Sequence, residues 1–192
     1  VFKNKEMPMN SQRTITTKSI IIAALFIAIV FVATYAVQIP LPGIATGGLI
    51  HLGNVALFTI AVIFGKRYGA ISGAFGMALF DILSPWIIWA PGTFVIRGIM
   101  GYMVGSIAKG GRQQQSISPF RLMLAMILPS IWMIAGYFGY NLLLYQNVPA
   151  AVASLPGDIT QAVAGIAIAT PVILLIEKSG TSNRLALLAA ER

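Results

Sequence analysis

Gly76-Met-Ala-Leu-Phe-Asp81-Ile-Leu-Ser-Pro85-Trp86-Ile-Ile-Trp89-Ala-Pro91-Gly92-Thr-Phe-Val-Ile-Arg97-Gly98 is the stretch on which the fold turns. An apolar segment ends at Asp81, an aromatic loop built on Pro85, Pro91 and Gly92 follows, and a second apolar segment opens at Thr93 and runs through Gly101 to Gly105. An acid closes the first segment and a base, Arg97, stands about one turn into the second. Both lie in sequence that otherwise reads as membrane. A charge in hydrocarbon is costly, and it marks a function or a partner.

Outward from this stretch, the 192 residues are 57% hydrophobic and only 9% charged, against about 25% charged in soluble domains. That surplus of apolar surface exceeds what one soluble core can bury, so the expected class is an all-α integral membrane protein. There is no cysteine, which excludes disulfides and thiol chemistry. One histidine and five acids leave little for a metal site, and neither a metal nor a cofactor is expected.

Six apolar runs are expected as transmembrane helices: Ser19 to Val37, His51 to Phe64, Tyr68 to Leu83, Thr93 to Ala108, Leu122 to about Tyr145, and about Asp158 to Ile176. About 20 residues at ~1.5 Å each span a bilayer core of ~30 Å; the second run is short for a span. A cleavable signal peptide is the alternative for the first run, disfavoured by its length and the lack of an Ala-x-Ala site. Segment 1–17 is expected to be a cytoplasmic N-terminal piece, 18–177 the membrane domain and 178–192 a cytoplasmic tail. Gln38 to Ile50 and Gln146 to Pro156 read as loops. Pro129 is expected to kink the fifth helix and Pro171 to interrupt the sixth late in its course.

The net charge of +8 is segregated. Lys3, Lys5, Arg13 and Lys18 precede the first run. Lys66 and Arg67 join the second to the third, Lys109, Arg112 and Arg121 join the fourth to the fifth, and Lys178, Arg184 and Arg192 follow the sixth. Every Lys or Arg except Arg97 thus falls on one side of a six-helix arrangement. The positive-inside rule makes that side, with both termini, cytoplasmic. The basic balance is thereby explained without nucleic acid.

Nearly all the unusual polar residues gather at the other end: His51 and Asn54, Asp81, Arg97, Asn141, Asp158 and Gln161, with Trp86, Trp89, Tyr137, Tyr140 and Tyr145. Each has a plainer reading. Trp and Tyr populate membrane interfaces, His51 can simply open a helix, Asp158 can cap one, and Asp81 and Arg97 can form a structural ion pair. Their convergence favours a small-ligand pocket, in which aromatic walls take a flat ring and a few polar groups orient it. If Asp81 and Arg97 pair, their charges cancel and a mostly neutral ligand is expected, with Asn141 and Gln161 as direct ligand contacts. No phosphate-binding Gly-x-x-x-x-Gly-Lys-Ser/Thr, His-Glu-x-x-His or Gly-x-Ser-x-Gly pattern is present, so no enzyme is expected.

His51-Leu-Gly-Asn54, Phe64-Gly-Lys-Arg-Tyr-Gly-Ala-Ile-Ser-Gly73, Ala78-Leu-Phe-Asp81, Trp89-Ala-Pro-Gly-Thr-Phe94 and Arg97-Gly98 resemble the substrate-binding S components of energy-coupling factor (ECF) vitamin transporters. Within that family, the likeness is to the hydroxymethylpyrimidine, pyridoxine and riboflavin group. The resemblance implies six helices, an outer substrate pocket covered by the first loop, and docking to a membrane T component and two ABC ATPases. The family's docking Ala-x-x-x-Ala matches Ala24 and Ala28. The implied mechanism is toppling of the whole subunit in the bilayer. The ligand expected first is hydroxymethylpyrimidine, with pyridoxine second. An autonomous secondary carrier is the alternative, although no internal repeat supports it.

Overall fold

The computed structural model describes residues 16–40, 49–109 and 117–181. Its element order is α1 Thr17–Ala36, β1 Gln38–Pro40, β2 Leu49–His51, α2 Gly53–Phe64, α3 Lys66–Ile82, a single 3-10 turn Ile87–Trp89, α4 Ala90–Lys109, α5 Pro119–Tyr145 and α6 Val148–Lys178. Four helical stretches are long and apolar enough to cross a membrane: Thr17–Ala36, Ile87–Ala108, Pro119–Tyr145 and Val148–Lys178. α2, with 12 residues, is a shorter apolar helix, and α3 has 17.

The outward faces of these helices are as apolar as a bilayer requires. On α1, Ile20, Ile21, Leu25, Val32 and Tyr35 are each more than half exposed, while Phe26 and Val30 on the opposite stripe are buried. Such one-sided burial, with apolar residues on both faces, is what a helix shows when one face meets protein and the other meets lipid or a partner. The inner stripe joins Leu57, Phe58, Met77, Met100, Val104, Met126 and Met133 in one core.

The tightest seam is between α3 and α4, and glycine makes it possible. A Cβ on Gly73 would stand 2.8 Å from the Arg97 carbonyl oxygen; on Gly101 it would collide with the Gly69 backbone, and on Gly105 with that of Lys66. Gly69 and Gly101 therefore face each other, with Gly73 against the Arg97 backbone and Gly105 against that of Lys66, which lets the two helix axes approach as small residues do in membranes. Apposed this way, α3 and α4 carry Asp81 and Arg97 to the same end of the bundle.

α2 and α3 are separated only by Gly65, whose φ of 92° a side chain would strain. Lys66 and Arg67 follow at once, and the Lys66 ammonium lies 5.0 Å from the Tyr102 ring centre. This basic turn marks the end of the bundle opposite to the polar cluster.

Two expectations about connections are corrected. The segment expected as a loop from Gln38 to Ile50 carries two short strands, because Gln38–Pro40 and Leu49–His51 pair antiparallel in the register Gln38 to His51, Ile39 to Ile50 and Pro40 to Leu49. Residues 146–156 are not a loop either, because α6 starts at Val148 and runs 31 residues, about 46 Å at 1.5 Å each. The Asn147 side chain caps its first turn by accepting from the Ala150 amide at 3.1 Å, and Pro149 sits in the first turn, where its missing N–H costs nothing. Pro156 and Pro171 are carried inside α6, and Pro129 inside α5. Lys3, Lys5, Arg13, Arg112, Arg184 and Arg192 lie outside the described residues.

Candidate functional site

A cavity of about 110 Å³ opens at the end of the bundle away from Lys66 and Arg67. His51, Asp81, Trp86, Trp89, Arg97, Tyr137, Asn141, Asp158 and Gln161 all line it. Of the expected site residues, Asn54 alone lies behind the wall. A larger cleft of about 320 Å³, formed by Ile131, Ile134, Ala135, Phe138 and Leu155, is apolar throughout. It carries nothing that could orient a polar ligand, so the smaller cavity is the candidate site.

Arg97 is 4% exposed, and its Nε and one of its two terminal nitrogens are bonded within the protein. One terminal nitrogen donates to Asn54 Oδ1 at 2.5 Å and also contacts the sulfurs of Met133 and Met100. Nε donates to the Tyr137 hydroxyl at 3.1 Å, and that hydroxyl in turn bonds Thr93 Oγ1 at 3.0 Å. The expected Asp81–Arg97 ion pair is absent among the described residues. The two sit at similar depth, but Asn54 reaches Arg97 first from α2, while Asp81 Oδ2 is buried with no hydrogen-bond partner.

Asn54 is itself fully buried and donates through Nδ2 to the Gln161 carbonyl at 3.3 Å. It therefore couples α2, α4 and α6 under the floor of the cavity. A buried cation held by neutral acceptors and a ring face keeps its charge fixed in one place; the Arg97 guanidinium lies 5.1 Å from the centre of the Tyr137 ring.

The roof is organised differently. Gln161 on α6 binds the backbone of β2: its Oε1 accepts from the His51 amide at 2.9 Å and its Nε2 donates to the His51 carbonyl at 3.0 Å. His51 turns its ring back onto its own chain, and Nδ1 accepts from the Gly53 amide at 3.1 Å, capping the start of α2. His51 was expected to open the second helix; it is instead the last residue of β2 and supports the first N–H of α2 from outside the helix. Burial, and then the positive charge of Arg97, push the His51 imidazole down to about 3. The ring is neutral at physiological pH.

The aromatic loop is fixed by α5. Trp89 Nε1 donates to Asn141 Oδ1 at 2.9 Å, the Tyr140 hydroxyl donates to the Ile88 carbonyl at 2.9 Å, and the Tyr140 ring packs where a Cβ on Gly92 would stand. Trp86 and Trp89 lie 5.3 Å apart between ring centres, and Tyr145 adjoins Trp89 at 6.2 Å. Asn141 and Gln161 thus spend polar atoms on Trp89 and His51, where direct ligand contacts were expected.

Leu49, Phe80, Thr93, Ser154 and Gly157 also line the cavity and were not singled out from the sequence. Two of them were accessible by spacing. Thr93 precedes Arg97 by four residues and Ser154 precedes Asp158 by four, so each shares a helix face with a residue already chosen. The Ser154 hydroxyl lies 3.4 Å from Asp158 Oδ2.

The comparisons with known proteins bear on this geometry. The model of the family "ECF-type riboflavin transporter, S component" matches residues 14–178. The chain belongs to that family. It is therefore an S component, a membrane subunit of an ECF-type vitamin transporter, and membership implies a T component and ATPases as the general partners of such subunits. This S component is 29% identical over 166 residues to the thiamine precursor transporter HmpT of Lactococcus lactis subsp. cremoris (strain MG1363), covering 86% of this chain and 92% of that one. It is 37% identical over 139 residues to an uncharacterised protein of Pyrococcus woesei, covering 72% of this chain and 88% of that one.

Proposed function

We propose that this S component captures a single-ring heteroaromatic vitamin or vitamin precursor, hydroxymethylpyrimidine first and pyridoxine second. Cavity size carries the reading. About 110 Å³ is far below the ~300–1,000 Å³ of pockets for drug-sized ligands, and suits one substituted six-membered ring better than the three fused rings and side chain of riboflavin. Trp86 and Trp89 supply aromatic walls, and Asp81, Tyr137 and Asp158 polar contacts. Arg97, Asn54, Asn141, His51 and Gln161 act mainly by holding those walls. Likeness to a thiamine precursor transporter supports the same ligand class.

In this reading the chain crosses the cell membrane six times with both termini cytoplasmic, so that the cavity faces outward. It does no chemistry of its own. It docks through Ala24 and Ala28 to a membrane T component and, with two ABC ATPases, delivers ligand inward by toppling. Both alanines are exposed on α1, which leaves that face available.

Mass spectrometry of ligand extracted from the chain purified from its own cells tests the substrate, and co-purification tests the partners. Hydroxymethylpyrimidine or pyridoxine is expected, together with a T component and two ATPases. Riboflavin, or uptake by the chain with no partner bound, would overturn the reading.

A further inference from the structure

The Arg97 guanidinium is pinned on two sides and open on the third. Nε donates to the Tyr137 hydroxyl, and Nη1 to Asn54 Oδ1 and the Met133 sulfur. The remaining nitrogen, Nη2, has no hydrogen-bond partner among the described residues. It is not sealed in the protein either, because the only fully enclosed, unpaired side-chain nitrogens or oxygens among the described residues are Asp81 Oδ2 and Ser106 Oγ. Arg97 is 4% exposed and lines the cavity, so that opening is where Nη2 emerges. The two carboxylates on the cavity wall leave it unclaimed: Asp81 is bonded by Thr93, and Asp158 by Ser154. A guanidinium is rigid and planar, so fixing two of its nitrogens fixes the third. Nη2 is therefore a charged donor held in place before any ligand arrives.

Resting on the assignment of the cavity to a single-ring ligand, we infer that Arg97 Nη2 is the specificity-determining contact of this site, and that it takes an acceptor lone pair of the ligand, on a ring nitrogen or a hydroxyl oxygen. Arg97 thus holds the wall with two nitrogens and reads the ligand with the third. A ligand with an acceptor at this point completes a charge-assisted hydrogen bond. One that presents C–H there strips water from the guanidinium without replacing it, which a site built around a hydrogen bond penalises heavily. Lysine cannot substitute, because its single nitrogen cannot stand at the Nη1 and Nη2 positions at once.

The test is a cycle between protein and ligand. The whole chain in detergent is titrated with hydroxymethylpyrimidine, pyridoxine and riboflavin. Analogues of the tighter single ring follow, each missing one acceptor: a ring nitrogen replaced by C–H, or a hydroxyl by hydrogen. In wild type, one analogue should bind about 10- to 100-fold more weakly than its parent. In Arg97→Lys that penalty should shrink to about twofold or less, while the other analogues keep their wild-type penalties. Lysine keeps the charge, so a changed ring basicity weighs on both proteins alike. A purely structural Arg97 would weaken parent and analogues by one common factor, and that result overturns the role of Nη2 while leaving the small-ring assignment standing. So does a wild type that binds every analogue as tightly as the parent. Should Arg97→Lys fail to fold, wild type labelled with nitrogen-15 arginine carries the test. The parent should shift one guanidinium terminal-nitrogen signal that the acceptor-free analogue leaves in place; an equal shift with both, or with neither, overturns the role of Nη2. Tight binding of riboflavin, with neither single ring bound, overturns both readings.

Discussion

Gln161 holds His51 by both sides of its peptide, accepting from the amide and donating to the carbonyl 110 positions away in the chain. One amide side chain thus occupies the hydrogen-bonding edge of β2 as a further strand would. It fixes the hairpin, and with it the roof of the cavity, to α6.

Removing that side chain orphans a backbone donor and acceptor, each worth about 1–3 kcal/mol when buried. Gln161→Ala is expected to weaken ligand binding by about 10- to 100-fold and to accelerate hydrogen exchange at the amides of residues 49–51, with little change in α3 and α4. Gln161→Glu, which keeps the acceptor and loses the donor, should fall between. Exchange unchanged at residues 49–51 would contradict the role of the clasp.

Arg97 is coupled to Asn54 rather than to Asp81. Breaking a hydrogen bond to a buried charge costs about 1.5–3 kcal/mol, so Asn54→Ala should lower stability in detergent by about that amount, whereas Asp81→Asn should leave it almost unchanged. A double-mutant cycle on unfolding checks this directly. The Arg97–Asn54 coupling should exceed the Arg97–Asp81 coupling.

Ala24 and Ala28 stand on the same exposed face of α1, one turn apart. Neither is part of the core, so Ala24→Trp or Ala28→Trp should leave ligand binding by the isolated chain nearly intact and abolish uptake and assembly with the T component. Normal uptake by both variants would move the docking face elsewhere.

The depressed titration of His51 gives a pH signature with a definite sign. Unfolded, the imidazole takes up a proton as pH falls through about 6.5; folded, it resists until about 3. Stability from this group is therefore full above pH 6.5 and declines between there and pH 3. The drop in melting temperature from pH 7.5 to pH 5 should be larger for wild type than for His51→Asn, whose amide can still cap α2 but does not titrate. Equal drops would contradict a buried neutral ring.

Much of the architecture was legible in the sequence because hydrophobic run length and segregated Lys and Arg are both dictated by the bilayer. α1, α3 and α5 begin or end within about three residues of the apolar runs, and nine of the ten candidate ligand residues share one cavity. The start of α6 was hidden because Val148-Pro-Ala-Ala and Leu155-Pro-Gly read as turn chemistry, whereas Asn147 caps a helix that then carries Pro156 within it. The hairpin was hidden because three residues per strand leave no periodicity to detect. The partner of Arg97 was illegible for a different reason. Depth along a helix can be counted from sequence, but which of Asp81 and Asn54 reaches the guanidinium depends on helix rotation, set by the glycine seam between α3 and α4.

Titration calorimetry of the purified chain against hydroxymethylpyrimidine and riboflavin bears most directly on the cavity as a single-ring site. Saturable binding of the pyrimidine at one site per chain, with riboflavin weaker by about 100-fold or more, that is about 2.7 kcal/mol or more, is the predicted result. Tight binding of riboflavin, with no heat from the pyrimidine, would contradict it.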